Sequence, residues 1–423
     1  MSRVSGALSG LTTRGRCLLA AGVTLTLCAL VLGQRDLLRV GALLVALPLA
    51  ALWIVSRTSY RLSCDRHLDP PAVPAGRPTA VRLRLQNVSR LTSGTLLMED
   101  ALPYTLGGRP RFVLHRVEPR GVRDVSYPVT SDARGRFTVG PLSVQLTDPF
   151  GLVQLARAFA AVDELVVTPV VVPLPPVRLA GEWSGGELSA RSLATSGTDD
   201  ATTREYRHGD DLRKVHWRST ARTGELMVRR EEQPFQSRCT LLLDRRALAH
   251  RGEGPQASFE WSVSAVASIG ADVVAAGYAL SVLDESGAAL TPVGTPVSEA
   301  LLLGALATVQ TTRARDLDGA LLRLRDGVGG LTVAVLGALD LPTAERLSGL
   351  RTSNGAYLAL LLDTDSWAPV SARLRAEALA RHEQAALLLG GAGWRVIPVE
   401  RGSALAELWA GASASRPVPA GAR

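Results

Sequence analysis

The sequence predicts a membrane-anchored multidomain protein with an N-terminal two-helix transmembrane hairpin, a β-sandwich-like domain and a C-terminal α/β domain built on a parallel sheet. Three observations support this fold class. Two long apolar runs lie close to the N-terminus, short segments of alternating polarity follow them, and the last part of the chain alternates apolar strand-like runs with helical patterns. A chain of 423 residues is long enough for two or three domains.

The hairpin is predicted from two apolar runs, residues 17–33 and 37–55, which are separated by the polar break Gln34, Arg35 and Asp36. Each run is just long enough to cross a hydrocarbon core of about 30 Å as a helix. A signal peptide is the alternative for the first run. The second run follows at once, however, and no small-residue cleavage site lies between them.

The placement of arginines predicts how the hairpin is oriented. Arginines are frequent on either side of the hairpin and scarce at its turn. Arg3, Arg14 and Arg16 precede the hairpin, and Arg57, Arg61 and Arg66 follow it. The turn has only Arg35 and Arg39. The positive-inside rule then puts residues 1–16 and everything after Arg57 in the cytoplasm, as expected of a multi-pass plasma-membrane protein. The four cysteines form no disulfide framework, which is typical of a reducing compartment.

Residues 60–175 are predicted to form the β-sandwich-like domain. Residues 81–86 and 142–146 alternate strictly between apolar and polar, the pattern of a half-buried strand. Short strands separated by turn residues favour an antiparallel sandwich. Further strands are predicted at 95–98, 111–114, 125–129, 137–139 and 165–172.

The turn motif Asp148-Pro149-Phe150-Gly151-Leu152 follows one of these strands. Proline and glycine suit a turn because the first fixes φ and the second permits unusual backbone angles. We expect Phe150 and Leu152 to fill the bottom of the sandwich, and Asp148 to be structural rather than a ligand.

Charge is concentrated between residues 197 and 233, where seven arginines and Lys214, the only lysine of the chain, face eight acids. Tyr206, Trp217 and Leu226 stand among these charges. A solvated charge run usually has one sign and lacks aromatics, so we expect part of this stretch to be buried. Arginine suits such a place because its planar guanidinium binds carboxylates with two parallel hydrogen bonds.

The stretch belongs to a linker-and-motif region predicted at residues 176–236. A short helix over 212–221 and a short strand at 226–228 are expected within it. We predict an arginine–carboxylate network that docks the motif between two domains or against a partner. Its candidate members are Arg204, Glu205, Tyr206, Gly209, Asp210, Asp211, Arg213, Trp217, Arg218 and Arg222.

The same motif offers an alternative, a metal-assisted hydrolase that uses His208, His216, Asp210 and Asp211. General-base chemistry needs a histidine that is oriented by a carboxylate and faces a nucleophile. The spacing of these residues matches neither a known triad nor a standard zinc site. The leading prediction is therefore a protein without catalytic residues, metal ligands or cofactor.

Residues 204–222, REYRHGDDLRKVHWRSTAR, resemble the signature of the domain-of-unknown-function 58 family. Upstream, Arg134-Gly135-Arg136-Phe137, Gly140-Pro141 and the turn motif at 148–152 look like that family's second block. The resemblance covers most of the chain, from the hairpin to the C-terminal domain. It implies an architecture rather than an activity, because the family's biochemical activity is not established.

Residues 237–410 are predicted to form the α/β domain, since apolar strands that alternate with helices favour a parallel sheet covered on both faces. We expect strands at 240–244, 278–283, 331–336, 356–363 and 394–399, and helices at 259–276, 298–309, 318–325, 371–389 and 403–409. The tail at 411–423 is rich in alanine, serine and proline and is predicted to be disordered.

The order of these elements, with a first strand that ends at Asp244, resembles a von Willebrand factor A-type domain. That family holds Mg²⁺ with an Asp-x-Ser-x-Ser motif at this position. Here the five residues are Asp244-Arg245-Arg246-Ala247-Leu248, so both serines are replaced and Arg246 would repel a cation. We expect Arg246 to pair with Asp244 instead, and the metal site to be lost.

The function predicted from the sequence is that of a non-enzymatic, membrane-anchored scaffold or adaptor. The family resemblance implies a protein partner, an AAA+ ATPase of the MoxR type, in complex assembly or cell-envelope maintenance. The lipid bilayer is the other expected partner, through residues 17–55. Nucleic-acid binding is not expected, because the region of highest charge is neutral by count and no basic patch alternates with exposed aromatics.

Overall fold

The computed structural model describes residues 10–57, 62–90, 92–93, 95–148, 150–176, 203–205, 217–229, 238–292, 296–325, 330–350, 355–369 and 371–414. The chain divides into two compact units, Met1–Thr168 and Pro169–Arg423. The first unit contains two apolar helices and a β-rich region, and the second contains a parallel sheet with helices.

The two apolar helices are α1 (Thr13–Leu32) and α2 (Arg35–Arg57). Thr12 caps α1 by accepting the amide hydrogen of Gly15, and Gly33 ends it in the left-handed conformation at φ 68°. Thr13–Leu32 and Arg35–Trp53 are long and apolar enough to cross a membrane. The predicted break of three polar residues is wrong in its length, because Arg35 and Asp36 already lie in the first turn of α2, where an acid is favoured by the helix dipole.

Small residues let α1 and α2 approach closely. A β-carbon added to Gly22 would lie 2.9 Å from side-chain atoms of Leu44 and Val45, and one added to Gly41 would lie 2.6 Å from the hydroxyl of Thr26. Such close approach is how helices associate in lipid, where apolar burial offers no driving force.

The β-rich region of the first unit contains three small sheets. Their strand orders are β1-β3-β6, β5-β4-β8-β9 and β2-β10-β7, and among these pairs only β2 and β10 run parallel. The strands are β1 (Leu62–Asp69), β2 (Ala72–Pro74), β3 (Thr79–Asn87), β4 (Leu96–Asp100), β5 (Arg111–Leu114), β6 (Val122–Val129), β7 (Gly135–Val139), β8 (Leu142–Thr147), β9 (Gln154–Phe159) and β10 (Asp163–Thr168).

The alternation that predicted β3 is confirmed. Val81, Leu83 and Leu85 are buried in one core that takes residues from all three sheets, while the residues between them are exposed. Strands β1, β2 and β9 were not predicted. The last predicted strand, 165–172, is too long, because Pro169 cannot donate a ladder hydrogen bond. Val170 and Val172 instead bond to Ser264 and Ser268, which lie in the helix Ser258–Ala275 of the second unit.

The turn after β8 behaves only partly as expected. Leu152 is buried in the core, as predicted, and Asp148 is structural, since its carboxylate accepts the amide hydrogens of Phe150 and Val153. Phe150, however, does not fill the sandwich: its exposure is 66%. Residues two apart in a strand face the same side, but this rule does not apply to Phe150. Phe150 lies at the tip of the turn and not in a strand.

A buried polar network joins the three sheets. Arg66 of β1 binds Asp100 of β4 at 2.7 Å and Asp163 of β10 at 3.2 Å, and the hydroxyl of Tyr127 of β6 donates to Asp100 at 2.5 Å. Burial raises the pKa of the Tyr127 hydroxyl far above its usual range and raises the pKa of the nearby Cys64 thiol to about 11. This network fixes the sheets to one another through charge rather than through backbone pairing.

The second unit is built on a five-stranded parallel sheet of order β14-β13-β15-β16-β17. In chain order this is 2-1-3-4-5, one of the common doubly wound arrangements. A separate antiparallel pair of short strands precedes it. The strands are β11 (Thr203–Glu205), β12 (Met227–Arg229), β13 (Arg238–Leu243), β14 (Ala279–Leu283), β15 (Gly330–Leu336), β16 (Gly355–Leu362) and β17 (Arg395–Val399).

Helices cover both faces of this sheet. Alternate residues of β13 belong to different cores: Leu241 and Leu243 pack with α4, α5 and α9, whereas Leu242 packs with α6, α7 and α8. The predicted parallel sheet with helices is therefore confirmed. The helices are α3 (Trp217–Thr223), α4 (Ser258–Ala275), α5 (Glu299–Ala307), α6 (Asp318–Arg325), α7 (Leu341–Ser348), α8 (Ala372–Gly391) and α9 (Leu405–Ala414).

Two sequence predictions for this unit need correction. Helix α7 was missed, although Asp340 caps its N-terminus and Pro342 stands in its first turn, both typical start signals. The predicted disordered tail begins too early, because α9 continues to Ala414 and buries Ala412. Residues 415–423 lie outside the described part of the chain.

Candidate functional site

The candidate site lies at the carboxyl edge of the parallel sheet, between β13 and β15. The chain leaves β13 toward β14 on one side and returns to β15 on the other side, so the order of the strands reverses here. In open parallel sheets ligands bind in the crevice at such a reversal. Asp244 follows β13 and Gly337 follows β15, and the amide of Asp244 bonds to the carbonyl of Val335 at 3.1 Å.

Asp244 is fully buried and is paired with Arg246. The guanidinium donates from Nε to Oδ1 at 2.9 Å and from Nη2 to Oδ2 at 2.8 Å, and Oδ2 also accepts the amide hydrogen of Gly337 at 3.2 Å. The side chain of Arg246 is itself 2% exposed. This fork is the strong, bidentate form of an arginine–carboxylate bond, and it confirms the predicted pairing of these two residues.

The chain itself fills the crevice above this ion pair. The segment after β13 is fixed on one side by Thr312, which bonds to Arg245 and Ala247, and on the other side by Ala338, which donates to the carbonyl of Ala249 at 2.8 Å. A β-carbon on Gly337 would lie 2.4 Å from that same carbonyl. A glycine is therefore required here for the segment to close over the end of β15.

Asp284, Asp340 and Asp363 at this edge also have partners. Asp284, after β14, binds Arg245 at 2.9 Å, and Asp363, after β16, binds Arg375 at 2.7 Å. Asp340, after β15, is the N-cap of α7 and accepts from Thr343. Asp244, Asp284 and Asp363 are thus each neutralised by an arginine of the same unit, and the carboxylate of Asp340 serves as a helix cap.

The resemblance to a von Willebrand factor A-type domain implies Mg²⁺ at Asp244, and the residues present do not fit that ion. Both carboxylate oxygens accept hydrogen bonds from a guanidinium, and the positive charge of Arg246 occupies the place of a cation. Mg²⁺ needs oxygen ligands in octahedral geometry, but Arg246 and Leu248 occupy the two serine positions of the family motif. Within the described residues, no group of three or more His, Cys, Asp or Glu side chains is arranged to hold a metal.

His250 supports the same segment from below. Its Nε2 lies 2.8 Å from the carbonyl oxygen of Asp244 and its Nδ1 lies 3.1 Å from the hydroxyl of Ser258. Burial lowers the pKa of His250 below its usual value of 6.5, although the charge of Asp244 and the hydrogen bond to its backbone act in the opposite direction. The imidazole is therefore neutral at pH 7 and acts as a structural link between β13 and α4.

The structure describes only part of the predicted motif. Arg204 and Glu205 lie in β11, which pairs antiparallel with β12, and Trp217, Arg218 and Arg222 lie in α3. The strand expected at 226–228 is confirmed as β12, shifted by one residue. Other predicted residues lie outside the described part of the chain: Tyr206, His208, Gly209, Asp210, Asp211, Arg213 and His216.

The expected burial of the motif's apolar residues is wrong for two of them. The exposure of Trp217 is 69% and that of Leu226 is 41%. Helix α3 has only seven residues, and among the described residues none of its side chains joins one of the three buried clusters. An aromatic side chain that the sequence suggested for a core is thus displayed on a short surface helix.

Sequence reasoning missed most of the carboxyl-edge arrangement. Arg246 was recognised because it stands inside a five-residue motif, but Arg245, Thr312 and Arg375 reach their partners from distant parts of the chain. The sequence did indicate one part of this arrangement. An aspartate directly follows an apolar strand at Asp244, Asp284 and Asp363.

The fold and site define a protein with two apolar N-terminal helices, a β-rich region and a doubly wound α/β unit whose carboxyl edge is closed by internal ion pairs. The model of the family described as "Protein of unknown function DUF58" matches residues 202–330, from the charged motif to the start of β15. Residues 202–330 therefore carry the domain that defines this family, and the resemblance carried by residues 204–222 is confirmed. The upstream blocks at 134–152 lie outside the matched region.

Comparisons with other proteins add little. No curated protein matches the chain. Among solved structures, a CARDB domain from Pyrococcus furiosus with di-metal ions is 10% identical over 26% of this chain and 93% of its own, with a TM-score of 0.20. A complex of zinc 2-glycoprotein and prolactin inducible protein from human seminal plasma is 9% identical over 26% and 98%, also with a TM-score of 0.20. Scores this low carry no inference about fold or function.

Replacing Arg246 should destabilise the α/β unit, because Asp244 would be left buried without its counter-ion. We expect Arg246→Met to lower the free energy of unfolding by about 3–5 kcal/mol, and the double variant Asp244→Asn/Arg246→Met to recover part of that loss. Tryptophan fluorescence during denaturation measures this unit, since six of the seven tryptophans lie in it.

Arg373→Ala is the matched control for Arg246→Met. Arg373 pairs with Glu377 on the surface of α8, with side chains 89% and 55% exposed, and such pairs contribute at most about 0.5 kcal/mol. If Arg246→Met and Arg373→Ala lowered the free energy of unfolding by equally small amounts, the Asp244–Arg246 pair could not be a buried bidentate ion pair.

Stability of the α/β unit should fall as the pH is lowered below about 6.5, because His250 is neutral in the folded state while the unfolded chain binds a proton there. One such group contributes a slope of at most about 1.4 kcal/mol per pH unit, and the contribution is fully present above pH 6.5. His382, whose pKa burial also lowers, adds to the same loss. Denaturation curves of His250→Asn and His382→Asn should each show a shallower pH dependence, and an unchanged slope in His250→Asn would contradict the neutral assignment.

Proposed function

We propose that the chain is a non-enzymatic, membrane-anchored interaction protein that works as a scaffold or adaptor. The observation that carries this proposal is the closed carboxyl edge of the sheet, where Arg246 occupies both oxygens of Asp244 and the segment after β13 fills the crevice. A doubly wound unit whose usual ligand position is filled by its own side chains is suited to binding through its outer surface.

Membrane anchoring by α1 and α2 is the second part of the proposal. Both helices have the length and composition to span a bilayer, and their close packing at Gly22 and Gly41 suits lipid surroundings. The distribution of arginines favours a multi-pass arrangement in the plasma membrane with both ends of the chain in the cytoplasm. The β-rich and α/β regions would then lie on the cytoplasmic side.

The charged motif is the proposed partner-binding surface. Trp217 projects from α3 with 69% of its surface exposed, and Arg222 on the same short helix is exposed as well. Tryptophan and arginine are the residues most often found at the energetic centre of protein interfaces. Of the two roles considered for the motif, docking between domains or binding a partner, the exposure of Trp217 favours the partner.

The proposed partner is an AAA+ ATPase of the MoxR type, and the proposed process is complex assembly or cell-envelope maintenance. This part rests on the family resemblance alone, since the family match gives no role. The rival function is a metal-assisted hydrolase that uses Asp210, Asp211, His208 and His216, all of which lie outside the described residues.

The partner proposal predicts that the full-length protein in lipid nanodiscs binds a MoxR-type ATPase encoded beside it and changes its rate of ATP hydrolysis. Trp217→Ala should weaken this binding by about 2 kcal/mol or more, roughly thirtyfold in Kd, if Trp217 is central to the interface. Tyr104→Ala is the matched control, since Tyr104 is an aromatic residue that is 97% exposed in the other unit. An ATPase that does not bind the protein, and whose rate of ATP hydrolysis is the same with and without it, would contradict the adaptor proposal. Stoichiometric divalent metal, together with a hydrolytic activity lost in Asp210→Ala, would favour the rival.

A further inference from the structure

We propose that the turn after β8 is a membrane-interface contact: it fixes the β-rich region to the N-terminal end of α1 and inserts Phe150 into the headgroup layer of an anionic bilayer. The turn is formed by Asp148, Phe150, Gly151 and Leu152 and is called the interface turn below. The proposal rests on the membrane anchoring proposed for α1 and α2, and it names a second, non-helical contact with the lipid.

The interface turn is bound directly to the start of α1. The hydroxyl of Thr12, the N-cap of α1, donates to the carbonyl of Gly151 at 2.7 Å, and its amide donates to the carbonyl of Leu152 at 2.9 Å. The pairing continues along the chain, because the amide of Gln154 donates to the carbonyl of Gly10 at 2.7 Å. The turn and the first turn of the apolar helix therefore lie at the same level.

A close steric fit adds to these hydrogen bonds. A β-carbon on Gly15, in the first turn of α1, would lie 2.3 Å from the carbonyl oxygen of Leu152. Ala51 of α2 belongs to the same buried cluster as the core of the β-rich region, and Leu18 of α1 and Leu47 and Leu52 of α2 pack against that cluster. The β-rich region is thus seated on this end of the helix pair rather than tethered to it at a distance.

The turn holds Phe150 outward in a fixed position. Asp148 accepts the amide hydrogens of Phe150 at 3.0 Å and of Val153 at 2.6 Å, and Gly151 adopts the left-handed conformation at φ 68°. Leu152 is buried at 3% exposure, while Phe150 is 66% exposed. An exposed phenylalanine in an ordered turn is unfavourable in water, and it is favourable at the boundary between headgroups and acyl chains.

The neighbouring helix ends carry the chemistry of a membrane interface. Gly22 lies against Val45 and Thr26 against Gly41. The same antiparallel register puts Arg14 level with Trp53, a residue that is 58% exposed. Arg14 and Arg16 are both exposed in the first turn of α1. Exposed aromatic rings and arginines at one level are typical of the headgroup region, where arginine attracts anionic lipid.

The test measures the depth of a fluorescent label at Phe150→Cys in the full-length protein, in a background whose four native cysteines are replaced by serine or alanine. The protein is reconstituted in vesicles of phosphatidylcholine and phosphatidylglycerol that contain lipid with a quencher near the headgroup. Tyr104→Cys is the matched control. Tyr104 is exposed and follows β4, and the pairing of Asp100 with Leu142 puts it at the opposite end of the β4–β8 pair from the interface turn. Val23→Cys, an exposed position in the middle of α1, reports insertion of the helix.

We expect the label at position 150 to be quenched and its emission to shift to the blue, while the label at position 104 stays unquenched. Removing phosphatidylglycerol should reduce the quenching at position 150. A label at 150 that behaves like the label at 104, while the label at 23 responds to a quencher deep in the bilayer, would overturn the proposal and leave the membrane anchor intact. Absence of quenching at position 23 would instead show that the anchor itself is wrong. Quenching at 150 that appears only when a bound protein carries the quencher would assign Phe150 to a protein partner.

Discussion

The buried ion pair between Asp244 and Arg246 is the interaction on which the character of the α/β unit depends. A carboxylate with no exposure at the reversal point of a parallel sheet needs either a metal ion or a fixed cation, because an isolated buried charge is very costly. Here the cation is a side chain two residues further along the same loop. Because the chain supplies its own counter-charge, the loop after β13 closes over the crevice and the adjacent strand ends are tied together.

The same solution appears in the β-rich region, where Arg66 joins strands of three sheets through Asp100 and Asp163. A planar guanidinium can satisfy two acceptors at fixed angles, which a lysine ammonium cannot do, and the chain contains a single lysine, Lys214. Buried arginine–carboxylate pairs therefore hold the framework of both units. Pairs of this kind fix geometry, and removing one partner is far more damaging than replacing both.

Local patterns in the sequence were sufficient for elements whose burial follows a simple period. The alternation of β3 and the apolar run of β13 were predicted within two residues, and α6 was predicted with both ends correct. Helix α7 was missed although its start signals, Asp340 at the N-cap and Pro342 in the first turn, were present in the sequence.

Other features depend on contacts that no local pattern contains. The Arg66 network joins residues that are 34 and 97 positions apart, and Arg375 reaches Asp363 only because α8 begins beside β16. Phe150 and Trp217 look like core residues by type, yet both are exposed. Whether an apolar residue is buried depends on what packs over it, and a turn tip and a seven-residue helix have little to cover them.

The membrane and the closed sheet edge fit one functional picture, in which the helices hold the chain at a bilayer and the soluble surfaces bind other proteins. The central claim of this picture is that Arg246, and not a metal ion, neutralises Asp244 at the end of the first strand of the parallel sheet. The measurement that tests it most directly is a calorimetric titration of Mg²⁺ into the purified full-length protein, with Asp244→Ala as the reference. We predict no saturable heat in either protein. Saturable binding of one Mg²⁺ per chain that disappears in Asp244→Ala would contradict the account.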